Sequence, residues 1–281
     1  MRRADGKMLR HTDPMYRIVA HIMKKRSDSM NAITLDIPLE PIDKYIRQKK
    51  KEGGTMSHMA VILAAFNRTL CEYPALNRFV VNKRVYTRNE IAIGMVVLRA
   101  GATGAETMGK IYLQPEDTVL DVEARIQKFV EDNRDVEGSN ATDKIIKFLV
   151  GLPGLLRFAV SLLKWMDWHN LLPKFIIDAS PMHNTMVFTN LASIRTNHIY
   201  HHAYDFGTTS LVMAAGNPRE VPRRKGGEII HEKCLPLGLV MDERIASGYY
   251  FSQAFRRMKE YFKNPALLEE PPERILTDPE L

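Results

Sequence analysis

The chain has 281 residues, 45% hydrophobic and 26% charged, with 40 Lys and Arg against 33 Asp and Glu for a formal charge of +7. This composition excludes a mostly disordered or low-complexity chain, and a chain of this length buries roughly three-quarters of its unfolded surface without covalent staples. The two cysteines, Cys71 and Cys234, stand far apart and form no CxxC, which excludes a disulfide framework or a cysteine-based zinc site and fits a reducing, cytoplasmic setting.

Residues 1–14 are polar and basic and lack the apolar core of a signal peptide. Residues 16–25 predict a short amphipathic helix, and 32–37 alternate like a strand until Pro38 and Pro41 stop it, Pro41 then opening a helix. Ser57 stands where an N-cap belongs, before an apolar helix over 58–72 that Pro74 ends. Two strand-like runs, 79–81 and 84–87, are split by Asn82-Lys83 as in a hairpin, and 90–98 predict a third strand. Lys49–Lys51 reads as a solvated helix end, because no aromatic residues interleave with it, so no nucleic-acid partner is expected.

Residues 115–130 have the acidic first turn and apolar spacing of an exposed helix, and the apolar block 144–177 predicts two helical pieces hinged at Gly151-Leu152-Pro153-Gly154. Lys147, Pro153, Arg157, Lys164 and Asp167 break that block well short of the roughly 20 apolar residues a membrane span needs. Strands are predicted again at 185–189, 208–215 and 229–241, the last two separated by a turn-rich stretch over 216–227. A helix over 249–262 and a Pro/Glu-rich tail over 264–281, hugging the surface or frayed, complete an α/β chain with antiparallel pairing. No repeat or linker divides it, so residues 1–281 read as one domain with an apolar helical insertion over 140–181.

The order of five short motifs carries more information than any one of them. Thr189-Asn190-Leu191-Ala192-Ser193 is followed by a strand into Gly216-Asn217-Pro218-Arg219-Glu220-Val221-Pro222. Then come Met241-Asp242-Glu243-Arg244-Ile245-Ala246-Ser247-Gly248 ahead of a helix, and Asn264-Pro265-Ala266-Leu267-Leu268. Pro74-Ala75-Leu76-Asn77 and Ile91-Ala92-Ile93-Gly94 precede them. This series resembles the catalytic domain of the acyltransferase component of 2-oxoacid dehydrogenase complexes, with its S-N-L-G, G-x-x-x-x-x-P, D-H-R-x-x-D-G, P-x-L-N and N-I-G-x-A segments. The resemblance implies the α/β (α+β) fold of chloramphenicol acetyltransferase, a two-layer sandwich with a mixed sheet.

It also implies a chemistry: the histidine of D-H-R takes a proton from a thiol of coenzyme A or dihydrolipoamide, and a Ser/Thr hydroxyl of S-N-L-G steadies the oxyanion across a subunit boundary of a homotrimer. Here the hydroxyl position is Thr189, while Asp242 and Arg244 keep the acid–arginine pair that supports the site. The histidine position, however, is Glu243, and the motif's second Asp is Ser247. A thiol near pKa 8.5 and a glutamate near 4.3 differ by about 4 units, so that proton transfer is uphill by about 5–6 kcal/mol. Burial would raise the glutamate, and a contact with the neighbouring Arg244 would lower it. Glu243 is therefore either a base for an amine, hydroxyl or thiol acceptor, or a residue of a fold that has lost its chemistry.

His201 and His202 are a second candidate base. His201-His202-Ala203-Tyr204-Asp205-Phe206-Gly207 approaches the H-H-x-x-x-D-G of chloramphenicol acetyltransferase but misses its spacing by one residue and precedes the Gly216 turn. As strand neighbours the two histidines would point to opposite faces, and His198 with His202 would share an ion only on a helix, so no metal is expected. The resemblance starts about 15 residues into the chain, so no lipoyl attachment is expected on it, and the expected cofactor is coenzyme A or acyl-coenzyme A with a small acyl substrate. Phe158, Leu162, Leu163, Trp165 and Trp168 make the insertion too apolar to stand uncovered. Its expected role is packing within or between subunits, a lid on an acyl pocket, or membrane-surface contact by 144–177, where Lys144, Lys147, Arg157, Lys164 and Lys174 flank the tryptophans.

Overall fold

The computed structural model describes residues 3–98, 106–134 and 154–281. A short strand that the sequence reading did not include, β1 (Gly6–Met8), precedes α1 (Pro14–Ile22), whose N-cap Asp13 accepts from Met15 N at 2.7 Å. β2 (Met30–Pro38) runs directly into α2 (Leu39–Lys51). α3 (His58–Glu72) starts at the expected cap, with Ser57 Oγ accepting from Ala60 N at 3.1 Å. Every residue of α3 from Ala60 to Cys71 is buried, which is why its sequence shows no polar stripe: α2, α4, α7 and the sheet surround it.

β3 (Arg78–Val81) and β4 (Arg84–Arg88) form the predicted hairpin, with Asn82 and Lys83 both at positive φ, the arrangement of a type I′ turn. β1 pairs with β4 to make a small antiparallel sheet. β5 (Ile91–Leu98) pairs antiparallel with β6 (Glu106–Leu113), a strand the sequence reading lacks. The run Glu-Thr-Met-Gly-Lys is mostly polar, and its strand state comes from the distant partner rather than from its own pattern. α4 (Val119–Arg134) begins later than predicted because Asp117 ties the preceding turn, accepting from Gln114 N at 2.7 Å and pairing with Arg125.

Of the predicted helical insertion, α5 (Leu155–Trp168) and α6 (Lys174–Ala179) are helices, with Gly154 at φ 79° where the hinge was expected; residues 140–153 lie outside the described residues. β7 (Met186–Asn190), β8 (Leu211–Ala215), β9 (Arg219–Lys225), β10 (Glu228–Asp242) and α7 (Gly248–Lys263) follow. The stretch 216–227, read as turns, instead contains β9, and this corrects the sequence reading. β9 pairs with the first half of β10 across Gly226-Gly227, both at positive φ, which Gly adopts without the steric cost of a Cβ. Its residues are almost all polar and exposed, so no hydrophobic alternation announces the strand.

The main sheet has the order β2-β10-β8-β7-β5-β6, with β7 parallel to both β5 and β8 and the other pairs antiparallel. It is thus a mixed sheet, as the resemblance implied. Met186, Phe188, Leu211, Met213, Ile93 and Met95 face the helices and belong to the main core. On the opposite face, the described residues form a small buried cluster of Ala203, Val212 and Val240 beneath the irregular segment that follows β7. The tail docks rather than frays: Asp278 is buried in a two-point pair with Arg78 at 2.6 Å, and Leu276 N donates to Cys71 O at 2.8 Å.

Candidate active site

Side-chain alternation along β7 divides its chemistry between two faces. Met186 and Phe188 enter the core, so Val187 and Thr189 emerge on the thinly covered face. Val96 of β5, Met108 of β6 and Val212 of β8 share that face, and with Met182, Thr209 and residues 201–204 they line a cavity of about 480 Å³. That volume suits a small organic ligand, and the lining is mostly apolar with a few convergent polar groups. Thr189, His201 and His202 all border it; Glu243 does not.

The segment 195–210 carries the histidines there, and it is neither helix nor strand from 195 to 204. It lies close against the sheet. A Cβ on Gly216 would sit 2.1 Å from His198 N, so this position must lack one, and Gly238 gives similar clearance. His198 Nε2 meets Thr34 Oγ1 at 2.9 Å, a hydroxyl that also meets Tyr200. Further on, Asp205 accepts from Arg26 N at 2.8 Å, and Arg26 Nη1 donates to Tyr204 O at 2.7 Å. Thr208 N and Thr209 Oγ1 both donate to Met182 O, closing the loop onto the start of β7. The expectation that His201 and His202 point to opposite faces loses its premise, because the backbone there is not a strand, and both residues line one cavity.

The two imidazoles differ. His202 is exposed and stacks edge-on with Tyr204, ring centres 5.8 Å apart. His201 is half-buried, and its Nε2 is buried without a hydrogen-bond partner among the described residues. Burial first, and the neighbouring His202 second, push the His201 imidazole below its usual pKa, which keeps it neutral and able to accept a proton near pH 7. Among the described residues no group of three or more His, Cys, Asp or Glu side chains is placed to hold a metal ion.

The other predicted corner is at the end of β10. Asp242 is fully buried and takes both Nε and Nη2 of Arg244, at 2.8 and 2.7 Å, while Arg244 Nη1 donates to Met23 O at 3.1 Å. Arg26 Nε lies 3.8 Å from the same carboxylate. Arg244 is thus committed to Asp242, and no ion pair between Arg244 and Glu243 is found among the described residues. Glu243 is half-exposed and accepts from Asn31 Nδ2 at 2.7 Å, its own N–H donating to Ser29 O at 2.9 Å. Ser247, in place of the motif's second Asp, caps α7 by accepting from Tyr250 N at 3.1 Å. The structure thus gathers Thr189, His201 and His202 in one place and Asp242, Glu243, Arg244 and Ser247 in another.

Sequence reasoning missed Arg26, which ties the two places together, as well as the cavity residues Tyr204 and Thr209. An arginine in a basic stretch carries no local signal, since its partners lie about 180 and 216 residues away in sequence. Asp205 was noticed only as a spacing failure, yet its carboxylate is what orders the loop.

No family model and no curated protein matches the chain. Solved structures do. The Azotobacter vinelandii dihydrolipoamide acetyltransferase, studied for the catalytic roles of a serine, a histidine and an asparagine, superposes with a TM-score of 0.60 at 12% identity over 92% of this chain and 93% of that one. The cubic core of a pyruvate dehydrogenase multienzyme complex gives 0.59 at 12% identity, over 93% and 92%. A chloramphenicol acetyltransferase gives 0.53 at 11% identity, over 92% of this chain and all 100% of its own. The chain has the acyltransferase catalytic-domain fold. Identity this low establishes the fold alone, so the motif order in the sequence pointed to the right architecture, and the chemistry must be argued from the residues.

Proposed function

We propose that this protein is a coenzyme A-dependent acyltransferase of the chloramphenicol acetyltransferase-like fold, acting as a homotrimer on a small acyl group. The reaction runs at the cavity of Thr189, His201 and His202. A neutral histidine of the pair takes the proton of an amine, hydroxyl or thiol acceptor, whose heteroatom attacks the thioester carbonyl. Thr189 Oγ1 donates to the oxygen that gains negative charge. As the tetrahedral species collapses, the coenzyme A thiolate leaves and receives the proton from the imidazolium, so the enzyme returns to its starting state.

The observation that carries this reading is that Thr189 and His201 line one cavity, and that the His201 Nε2 has no hydrogen-bond partner among the described residues. The trimer is supported by the weakly covered sheet face at the cavity, where Val96, Ile199 and Tyr204 are exposed and a neighbouring subunit would bury them. The test is titration with acetyl-coenzyme A followed by turnover with a panel of acceptors. Saturable binding is expected, with a gain of about 2.7 kcal/mol in stability at one hundred times Kd. The absence of binding to acetyl- and free coenzyme A alike would sink the proposal.

One observation favours a second reading, a catalytically inactive homotrimer that binds a ligand or partner: the motif histidine is replaced by Glu243, and that carboxylate is occupied by Asn31. Binding of coenzyme A without turnover of any acceptor is the outcome that selects it.

A further inference from the structure

A second cavity, of about 330 Å³, lies where α1 and its continuation, the β3–β4 hairpin and α5 meet the end of the irregular loop. Its lining shares no residue with the cavity of Thr189 and His201. The two part at one step of the chain, Tyr204 bordering the first cavity and Asp205 the second. Charge on the second wall is unbalanced: Lys24, Lys25, Lys83 and Lys164 line it with Arg26 and Arg244, against only Asp167 and Asp205 as acids. Both acids are engaged. Asp167 pairs with Arg3 at 2.6 Å and His183 at 3.3 Å, and Asp205 accepts from the Arg26 backbone N–H at 2.8 Å. The four lysines have no ion pair or side-chain hydrogen bond among the described residues. Cations gathered on one concave wall raise the local potential and concentrate an anion there.

Two details of the same wall point the same way. Arg26 is only 3% exposed, yet its Nε has no hydrogen-bond partner among the described residues, with an Asp242 oxygen 3.8 Å away. A buried guanidinium N–H without an acceptor calls for one. Lys83 takes φ 60°, the left-handed conformation that a type I′ turn ordinarily gives to Gly at this position. A lysine is thus held there against its steric preference, as strained residues are at binding sites.

We propose that this cavity binds a small organic phosphate, distinct from coenzyme A, with its phosphate among the lysines and its organic part against Val80, Val81 and Trp168. A phosphate monoester carries about −1.5 to −2 at neutral pH, against one charge for a carboxylate, and so answers four uncompensated lysines better. The apolar and aromatic part of the wall asks for an organic body rather than a bare ion. The volume is at the lower end of the roughly 300–1,000 Å³ of ligand pockets, the size of a mononucleotide or sugar phosphate. This site does not depend on the acyl-transfer reading of the other cavity.

The full chain is titrated calorimetrically with adenosine 5′-phosphate, pyrophosphate and adenosine, with coenzyme A added as a competitor. Adenosine 5′-phosphate is expected to bind saturably, once per chain and more weakly as salt is added, while adenosine does not bind. Lys164→Gln should weaken that binding about fivefold or more. Lys83→Gly should weaken it similarly while the unfolding midpoint stays or rises, because Gly relieves the turn, a response that a lysine kept for structure would not give. Thr189→Val, in the other cavity, should leave the affinity unchanged. The proposal is overturned if adenosine 5′-phosphate does not bind at low salt, if adenosine binds as well, or if both lysine variants bind like the parent. Binding of pyrophosphate alone would mark an adventitious ion only and overturn it too. Displacement by coenzyme A, or loss of binding in Thr189→Val, would assign the phosphate to the acyl-transfer cavity.

Discussion

The Asp242–Arg244 corner and the His201–His202 loop both lean on Arg26, and they differ in whether their polar groups are satisfied. At the corner, every heteroatom of the Asp242 carboxylate is taken by Arg244, with Arg26 close behind, and the whole is sealed from solvent. In the loop, the backbone is pinned by Asp205 and the Gly216 approach, while a buried ring nitrogen of His201 has no hydrogen-bond partner among the described residues. A satisfied buried ion pair supports a fold; an imidazole beside a cavity with an unsatisfied ring nitrogen is a candidate to take up a proton. The contrast separates motif residues kept for architecture from residues free to react.

The largest expected effect comes from breaking the sealed corner. Asp242→Ala leaves Arg244 and Arg26 buried without their anion and should lower stability by about 3–5 kcal/mol in urea unfolding. A loss below 1 kcal/mol would mean that the corner is not structural. Next, Thr189→Val should lower acyl transfer by about 10²- to 10³-fold with thermal stability nearly unchanged, since its hydroxyl serves the oxyanion and not the core. Ser247→Ala removes the α7 cap and should cost about 1 kcal/mol, read from the same urea titration.

Acidification sharpens the comparison from another side. The folded His201 and His183 imidazoles both titrate below their usual value, each mainly because of burial, so the unfolded chain binds more protons in the window below about pH 6.5. Their contribution to stability is therefore full above that pH and is lost as pH falls through the window. Urea unfolding at about pH 7.5 and about pH 5.5 should show this loss, and His183→Asn, which removes the more deeply buried ring, should reduce it. The smallest effect is expected for Glu243→Gln, within about 0.5 kcal/mol in stability, because the side chain is half-exposed and keeps an oxygen for Asn31.

Much of the fold was legible in the sequence where a residue type imposes a local geometry. Ser57 and Pro74 bounded α3, Asn82-Lys83 marked a hairpin, and the motif order placed β7, β10 and α7 correctly. What escaped was structure imposed from a distance. β6 and β9 are polar strands whose state depends on partners rather than on alternation, and the parallel register of β7 between β5 and β8 leaves no local mark. The site was half legible. Thr189 and the histidines could be named as candidates, but their meeting depends on an irregular loop held by Arg26 and Gly216, and strand logic set the imidazoles apart. At Glu243 the departure from the motif was visible, whereas the allegiance of Arg244 to Asp242 required coordinates.

The most direct measurement compares His201→Ala and Glu243→Gln for acyl-coenzyme A consumption with the same acceptor, alongside coenzyme A affinity. The account predicts a fall of about 10²- to 10⁴-fold in kcat for His201→Ala at unchanged affinity, and a rate within about twofold of the parent for Glu243→Gln. A collapse of activity in Glu243→Gln with His201→Ala left intact would contradict it and return the base to the position of the motif histidine.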